Sequence, residues 1–341
     1  MVPCNGKVTV NSFPVGIFDV TVGKMRIRPY ASNTCAGLLT AAFATISFAF
    51  LADAPLATAQ TPGNGAQGRM QGPPPSARRN GQKAILIWAD TRNGLAQHDS
   101  VSHAMSVIER LGYESGAYFA YIRTDSNIIS THPKMTNGQL ASGGPSLANV
   151  DAIFFLGHRE IELNSDQKSD LLAFVHDQGK GFVAAHTALT AFESWPEFGE
   201  LLGGRFDGHP WGNVQGSVIN EEPTFPATKH FPAVFTIKDE FYKPKNFSRD
   251  KIDVLLRLDT NKVQTSRPAA GDNNGDVPLA WAKMYGKGRV FYSSFAHDAS
   301  TWDNPDIQKM YLEAIKWALG MTEAEVKPHP VQRSETAAQG T

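Results

Sequence analysis

VDAIFFLGHREIELNSDQKSDLLAFVHDQGKGFVAAH, residues 150–186, holds two short apolar runs separated by a helical pattern. Val150–Leu156 and Gly181–Ala185 are nearly continuous in apolar residues and are bounded by turn formers, as strands buried on both faces are. Between them Asn164 or Ser165 caps a helix through Asp177, with Asp166 and Gln167 in its first turn and Gly179 after it. A strand, a helix and a second strand at this spacing form a crossover unit with parallel strands.

The pattern continues outward in both directions. Upstream, KAILIWAD (Lys83–Asp90) reads as a further buried strand, followed by a helix from Ser100 to Leu111 that ends at Gly112, and by a strand over Ala117–Ile122. Downstream, a helical stretch runs from Thr187 to Leu202. These elements predict an α/β fold, a mostly parallel sheet with helices on both faces. Beyond Gly203 the character changes to strand and turn, over Gln215–Asn220, Ala233–Ile237, Asp253–Leu258 and Leu279–Met284. These segments are expected to form a β-rich insertion in the second half, lying over the sheet within the same domain. A buried strand in GKGRVFYSSF (Gly286–Phe295) and a helix over Asn304–Leu319, with Pro305 at its first position, close the domain.

The 341 residues are 41% hydrophobic and 19% charged, enough to bury a real core. With 32 basic against 33 acidic residues there is no electrostatic footprint for nucleic acid, so a small neutral ligand is the better expectation. Residues 1–24 resemble no targeting element and are expected to be an extension ahead of a start at Met25. Residues 25–59 read as a secretory signal: Arg26 and Arg28, an apolar run from Ala36 to Ala52, then Ala57-Thr58-Ala59 as the cleavage site. The expected product is periplasmic or extracellular and, once cleaved, is not inserted in a membrane. Residues 60–82 read as a flexible linker, 83–320 as the folded domain and 321–341 as a loose polar tail. Both cysteines, Cys4 and Cys35, precede the cleavage site, whereas all ten histidines follow it. The chain so processed has imidazole chemistry to offer and no thiol chemistry.

In open α/β sheets ligands bind beyond the carboxyl ends of the strands. Three expected strands end in histidine, at His158, His186 and His297, and equivalent ends of neighbouring strands converge on one crevice. Histidine serves there as acid, base or neutral metal ligand. Of the adjacent carboxylates Asp239 and Glu240, an extended backbone turns only one toward the crevice, and Glu240 is the expected one. His158, His186, His297 and Glu240 are the candidate catalytic set. His98, His209, Asp298 and Trp195 are candidates for holding a substrate, with Asp90 and His103 also within reach of the rim. The set His158, His186, His297 and Glu240 also suits a divalent transition metal of the zinc type, although no H-E-x-x-H spacing marks it. G-x-S-x-G, G-x-G-x-x-G and P-loop patterns are absent, so a serine hydrolase, a Rossmann dehydrogenase and a nucleotidase lack their marks.

Four ordered blocks give the chain a specific likeness: GFVAAHTALTAFESWPEFGELLGGRFDGHP (Gly181–Pro210), FTIKDEFY (Phe235–Tyr242), DVLLRLD (Asp253–Asp259) and PLAWAKMYGKGRVFYSSFAHDASTWDNPDIQKMYLEAIKWALG (Pro278–Gly320). Through them the sequence resembles the ThuA-like (trehalose utilisation) family over Lys83–Gly320. The resemblance implies a flavodoxin-like, class I glutamine amidotransferase-like fold and a link to trehalose, related disaccharides or their keto derivatives. The amidotransferase cysteine would fall on the turn at Gly181–Thr187, where this chain has Val183, Ala184 and Ala185, so glutamine hydrolysis through a thioester is excluded. The expected function is an exported protein performing histidine–carboxylate acid–base chemistry on a sugar or keto-sugar. The alternative is a non-catalytic carbohydrate-binding protein.

Overall fold

A computed structural model describes residues 78–331, apart from 95–96, 136, 142–143 and 267–272. The extension, the signal segment, both cysteines and most of the linker lie outside the described residues, as does the tail beyond 331. No helix among the described residues is long and apolar enough to cross a membrane.

The elements are β1 (Ala84–Trp88), α1 (Val101–Ser115), β2 (Phe119–Arg123), β3 (Ala152–Phe155), α2 (Ser165–His176), β4 (Gly181–Ala185), α3 (Pro196–Leu202), β5 (Arg205–Gly208) and β6 (Asn213–Asn220). They continue with β7 (Val234–Glu240), β8 (Lys243–Lys245), β9 (Asp253–Val263), β10 (Pro278–Tyr285), β11 (Gly288–Ser293), α4 (Ala299–Trp302) and α5 (Pro305–Ala318). Nine strands form one sheet in the order β2-β1-β3-β4-β11-β10-β9-β6-β7. The strands from β2 to β11 run parallel, as expected of the crossover units, and from β11 onward every pairing is antiparallel.

Alternation along the buried strands feeds two cores. Ile85, Ile87 and Ala89 pack with α1 and α5 on one face, while Ala84, Leu86 and Trp88 pack with α2 and α3 on the other. Trp88 lies 4.6 Å from Phe155 in the second core, and aromatic pairs of this kind are worth about 1 kcal/mol beyond their buried area. Asn164 is the cap of α2: its side chain accepts from the Gln167 N–H at 2.9 Å, and Gln167 Oε1 accepts from the Asn164 N–H at 3.1 Å.

The structure departs from expectation in four places. The second-half strands lie in the plane of the sheet, extending it from β11, because their backbones complete its hydrogen bonding. The first helix runs through Gly112 to Ser115. A side chain at Gly112 would meet the Tyr118 ring at 2.3 Å, so that glycine serves packing, and Gly116 at φ 67° is the one that ends the helix. The stretch after Gly181–Ala185 is a short 3₁₀ turn, His186–Thr190, followed by a separate helix that begins at Pro196. Trp195, before the proline, is extended, which ends any helix there.

Fourth, residues 321–331 are fastened to the domain. Ala324 and Val326 pack on the core, the Lys327 N–H donates to Asp253 Oδ2 at 2.8 Å, and His329 Nε2 lies 3.6 Å from both Glu222 Oε1 and Asp253 Oδ1. Burial pushes Asp253 up to about 6 from 3.8. A raised carboxyl pKa means that this group favours the fold in its neutral form. Its contribution is complete below 3.8, still largely present at about pH 4, and lost as pH rises through about 6. Asp253→Asn should therefore raise the melting temperature at pH 7.5 relative to the wild type by more than at pH 4. Thermal melts at the two pH values check this, and a difference that does not change, or that shrinks, refutes it.

Candidate functional site

His158, His186 and His297 follow β3, β4 and β11, three adjacent parallel strands, and His98 lies between β1 and α1. The carboxyl ends of four neighbouring strands thus carry one imidazole each. His98 is the hub: its ring centroid lies 5.1 Å from that of His158, 5.2 Å from His186 and 4.7 Å from His297, edge-on in each case. Glu240 arrives from the end of β7, at the far edge of the sheet. The antiparallel half therefore returns its β6–β7 end to the carboxyl ends of β4 and β11.

His186 is the most constrained of these residues. It is buried and sits at φ 40°, in the left-handed region, where a non-glycine residue marks a backbone held by its surroundings. Its Nδ1 is 2.6 Å from the Ser294 carbonyl oxygen, which can only accept, so the proton is on Nδ1 and Nε2 presents a lone pair. The Tyr292 hydroxyl donates to the His186 carbonyl at 3.0 Å, and the Tyr242 ring lies 4.0 Å from the imidazole. His186 Nε2 faces His297 Nδ1 at 3.1 Å and Glu240 Oε2 at 3.6 Å, while His297 Nδ1 is 3.1 Å from the same carboxylate oxygen. The other oxygen of Glu240 lies 3.3 Å from His209 Nδ1. Ala296, immediately before His297, has φ 142°, a second departure from ordinary backbone beside the cluster.

The electrostatics separate these groups. Burial lowers His98 to about 3, with the other imidazoles adding to the effect, and burial with Arg159 and His186 beside it lowers His158 to about 4. Burial also lowers His186. His297 moves the other way, raised by its hydrogen bond to Glu240. Burial works to raise Glu240, but His186, His297 and His209 overcome it and hold the carboxyl well below its usual range. The cluster thus sets three imidazoles held low by burial, His98, His158 and His186, and one raised by its carboxylate partner, His297, around the ionised Glu240.

One ligand atom each from His98, His186, His297 and Glu240 lies within 4.8 Å of every other, close enough together that the four could hold a metal ion. His158, expected in that set, is not among these ligands; His98 takes its place, because the loop after β1 carries it between the other rings. His158 Nδ1 is buried without a hydrogen-bond partner. Asp298 Oδ1 lies 3.8 Å from His297 Nε2, and Asp298 Oδ2 accepts from Asn213 Nδ2 at 2.6 Å. A crevice of about 340 Å³, lined by His98, His158, Arg159, His297 and Asp298, opens onto the cluster.

Trp195 is outside the site. Its indole is buried against Phe192 and Phe198, as apolar packing on that face of the sheet dictates, and offers no stacking surface to the crevice. His103 is also elsewhere, paired with Asp303 at 2.8 Å on the surface, and Asp90 accepts from Ser126 and the Arg92 N–H. A larger cavity of about 940 Å³, lined by Arg205, Phe206, Lys245, Lys251, Lys283 and Tyr285 among others, contains no histidine. The candidate site is therefore the smaller crevice, where the histidines are.

Three participants escape a reading of the sequence. Asp239 is buried, and its Oδ1 accepts from the N–H groups of both Glu240 at 2.8 Å and His297 at 3.0 Å. Tyr242 and Tyr292 hold the two sides of His186. Asp239 shows in the sequence only as the carboxylate turned away from the crevice, and Tyr242 carries a signal by standing two residues after Glu240, on its side of an extended chain. The β5–β8 pair, which joins the Tyr242 and His209 segments, is too short and polar to show alternation.

A family model described as trehalose utilisation, ThuA, matches residues 84–318. The chain belongs to the ThuA family. The sheet and the histidine-bearing strand ends all fall inside the ThuA match. A ThuA-like protein of Bacteroides uniformis is similar in structure, with a TM-score of 0.53 and 20% identity, over 71% of this chain and 94% of that one. A ThuA-like protein of Parabacteroides merdae gives 0.52 and 17%, over 72% and 93%. Both likenesses support the ThuA fold. No curated protein matches the chain.

Proposed function

We propose that this ThuA-family chain is an exported enzyme that acts on a trehalose-like disaccharide or its keto derivative by acid–base chemistry centred on His186, His297 and Glu240. One observation carries the reading: lone-pair donors from four separate segments converge on one point at the mouth of a crevice, around a single ionised carboxylate. Proton abstraction beside a carbonyl, or cleavage of a glycosidic bond activated by a neighbouring ketone, needs that equipment and no nucleophile. In this reading Asp298, which lines the crevice, and His209, which stands against Glu240, hydrogen-bond the sugar hydroxyls, and His158 exchanges a proton with the bound ring. The signal-like segment over residues 25–59 supports export.

The test is a turnover screen of trehalose and 3-keto-glycosides with the purified protein, alongside N-terminal sequencing of the exported form. Product formation from a keto-glycoside and a mature chain beginning at Gln60 are expected. Sugar binding without turnover would instead identify a carbohydrate-binding protein, and a mature chain beginning before Gln60 would refute the cleavage.

A further inference from the structure

We propose that His98, His186, His297 and Glu240 together bind one divalent transition-metal ion, with the open side of the site facing the crevice. The proposal deepens the reading above, since it rests on that crevice being where the sugar reacts: His186, His297 and Glu240 would serve the acid–base step by holding an ion that polarises the sugar, with the proton itself carried by a water on that ion and by His158.

A proton relay needs two or three groups in a line. This cluster instead brings four donors to mutual distances within 4.8 Å, from the β1–α1 loop, the end of β4, the end of β7 and the segment after β11. Three imidazoles and one carboxylate are a ligand set for a first-row transition metal, and a hard cation such as calcium would take oxygens. The ligand orientations are fixed from behind, as metal-binding histidines usually are. His186 gives its Nδ1 proton to the Ser294 carbonyl and so turns Nε2 inward, and His297 has Asp298 on the side of the ring away from the centre. Glu240 points Oε2 at His186 and His297 while His209 lies against Oε1. Asp239 ties the backbones of Glu240 and His297 to each other.

Such an ion would supply two things at this position. It would polarise a sugar carbonyl or hydroxyl oxygen, and it would lower the pKa of a bound water toward about 7. A sugar bearing neighbouring hydroxyl and keto oxygens is the kind of ligand that could reach such an ion from the crevice. His158 stands beside His98 outside the ligand set, free to pass a proton to what is bound.

The experiment uses the purified protein stripped with a chelator, then titrated with Co²⁺ and separately with Zn²⁺. One equivalent of each is expected to bind, Co²⁺ giving visible ligand-field absorption that Zn²⁺ abolishes. His98→Ala, on a loop outside the core, should lose the stoichiometric phase while keeping the wild-type melt, Glu240→Gln should weaken it, and His158→Ala should retain it. Absence of one-equivalent binding in the wild type, or binding in both His98→Ala and Glu240→Gln equal to the wild type, overturns the proposal. Keto-sugar turnover undiminished in the stripped protein also overturns it, leaving the sugar reading intact. Stoichiometric metal binding in a protein that turns over no sugar supports the metal site and removes the enzyme.

Discussion

His186→Ala is expected to lower keto-glycoside turnover by about 10²–10⁴-fold, the range lost when a positioned acid–base group is removed, while sugar binding changes little. The expectation follows from how completely His186 is committed to the cluster. Its Nδ1 is fixed on Ser294, its backbone carbonyl on Tyr292, and its ring against Tyr242, so Nε2 has one direction available. The left-handed backbone at φ 40° costs any residue with a Cβ about 1–2 kcal/mol, a strain that His186 already bears and that alanine would keep. His186→Asn is the companion variant: asparagine tolerates that conformation and keeps a donor for Ser294, yet offers no basic nitrogen. Both variants should bind sugar and fail to turn it over. Wild-type kcat in His186→Asn, with the fold intact, would remove His186 from the chemistry. Loss of sugar affinity equal to the loss of turnover would favour a binding protein.

The parallel half of the fold is legible in the sequence because each of its strands is a short apolar run between turn formers. The convergence of His158, His186 and His297 follows from strand order and direction alone. Glu240 over Asp239 follows from the two-residue period of an extended chain, although the same period conceals that Asp239 works from the buried side. What the sequence leaves hidden depends on segments without a period. His98 enters the metal set through a loop, and a loop's path is decided by what packs beneath it. Trp195 looked like a sugar platform because tryptophan stacks on sugars, yet an indole next to Phe198 on a covered sheet face gains more from burial than from the rim. The in-plane position of the later strands is equally invisible, because an alternating strand has the same pattern whether it extends a sheet or covers one.

Asp239 is where the two halves of the molecule are joined at the site, and its removal should cost both turnover and stability. It stands at the end of β7, on the antiparallel side, and reaches His297 at the end of the parallel strand β11. Asp239→Ala leaves the N–H groups of Glu240 and His297 without their acceptor. A buried donor so abandoned costs about 1–3 kcal/mol, and turnover should fall by about 10–100-fold as the carboxylate and the imidazole lose their common anchor. Burial pushes Asp239 up to about 7, and its second oxygen, Oδ2, has no partner, so the fold uses one oxygen as an acceptor and gains little from the charge. Asp239→Asn keeps that acceptor in the same place and should restore most of the turnover and of the melting temperature. A melting curve and a kcat and KM determination on the two variants decide the matter. An alanine variant as active as the wild type would show that the clamp is dispensable. An asparagine variant as damaged as the alanine one would show that the charge at Asp239, and not the geometry it imposes on Glu240 and His297, is what the site requires.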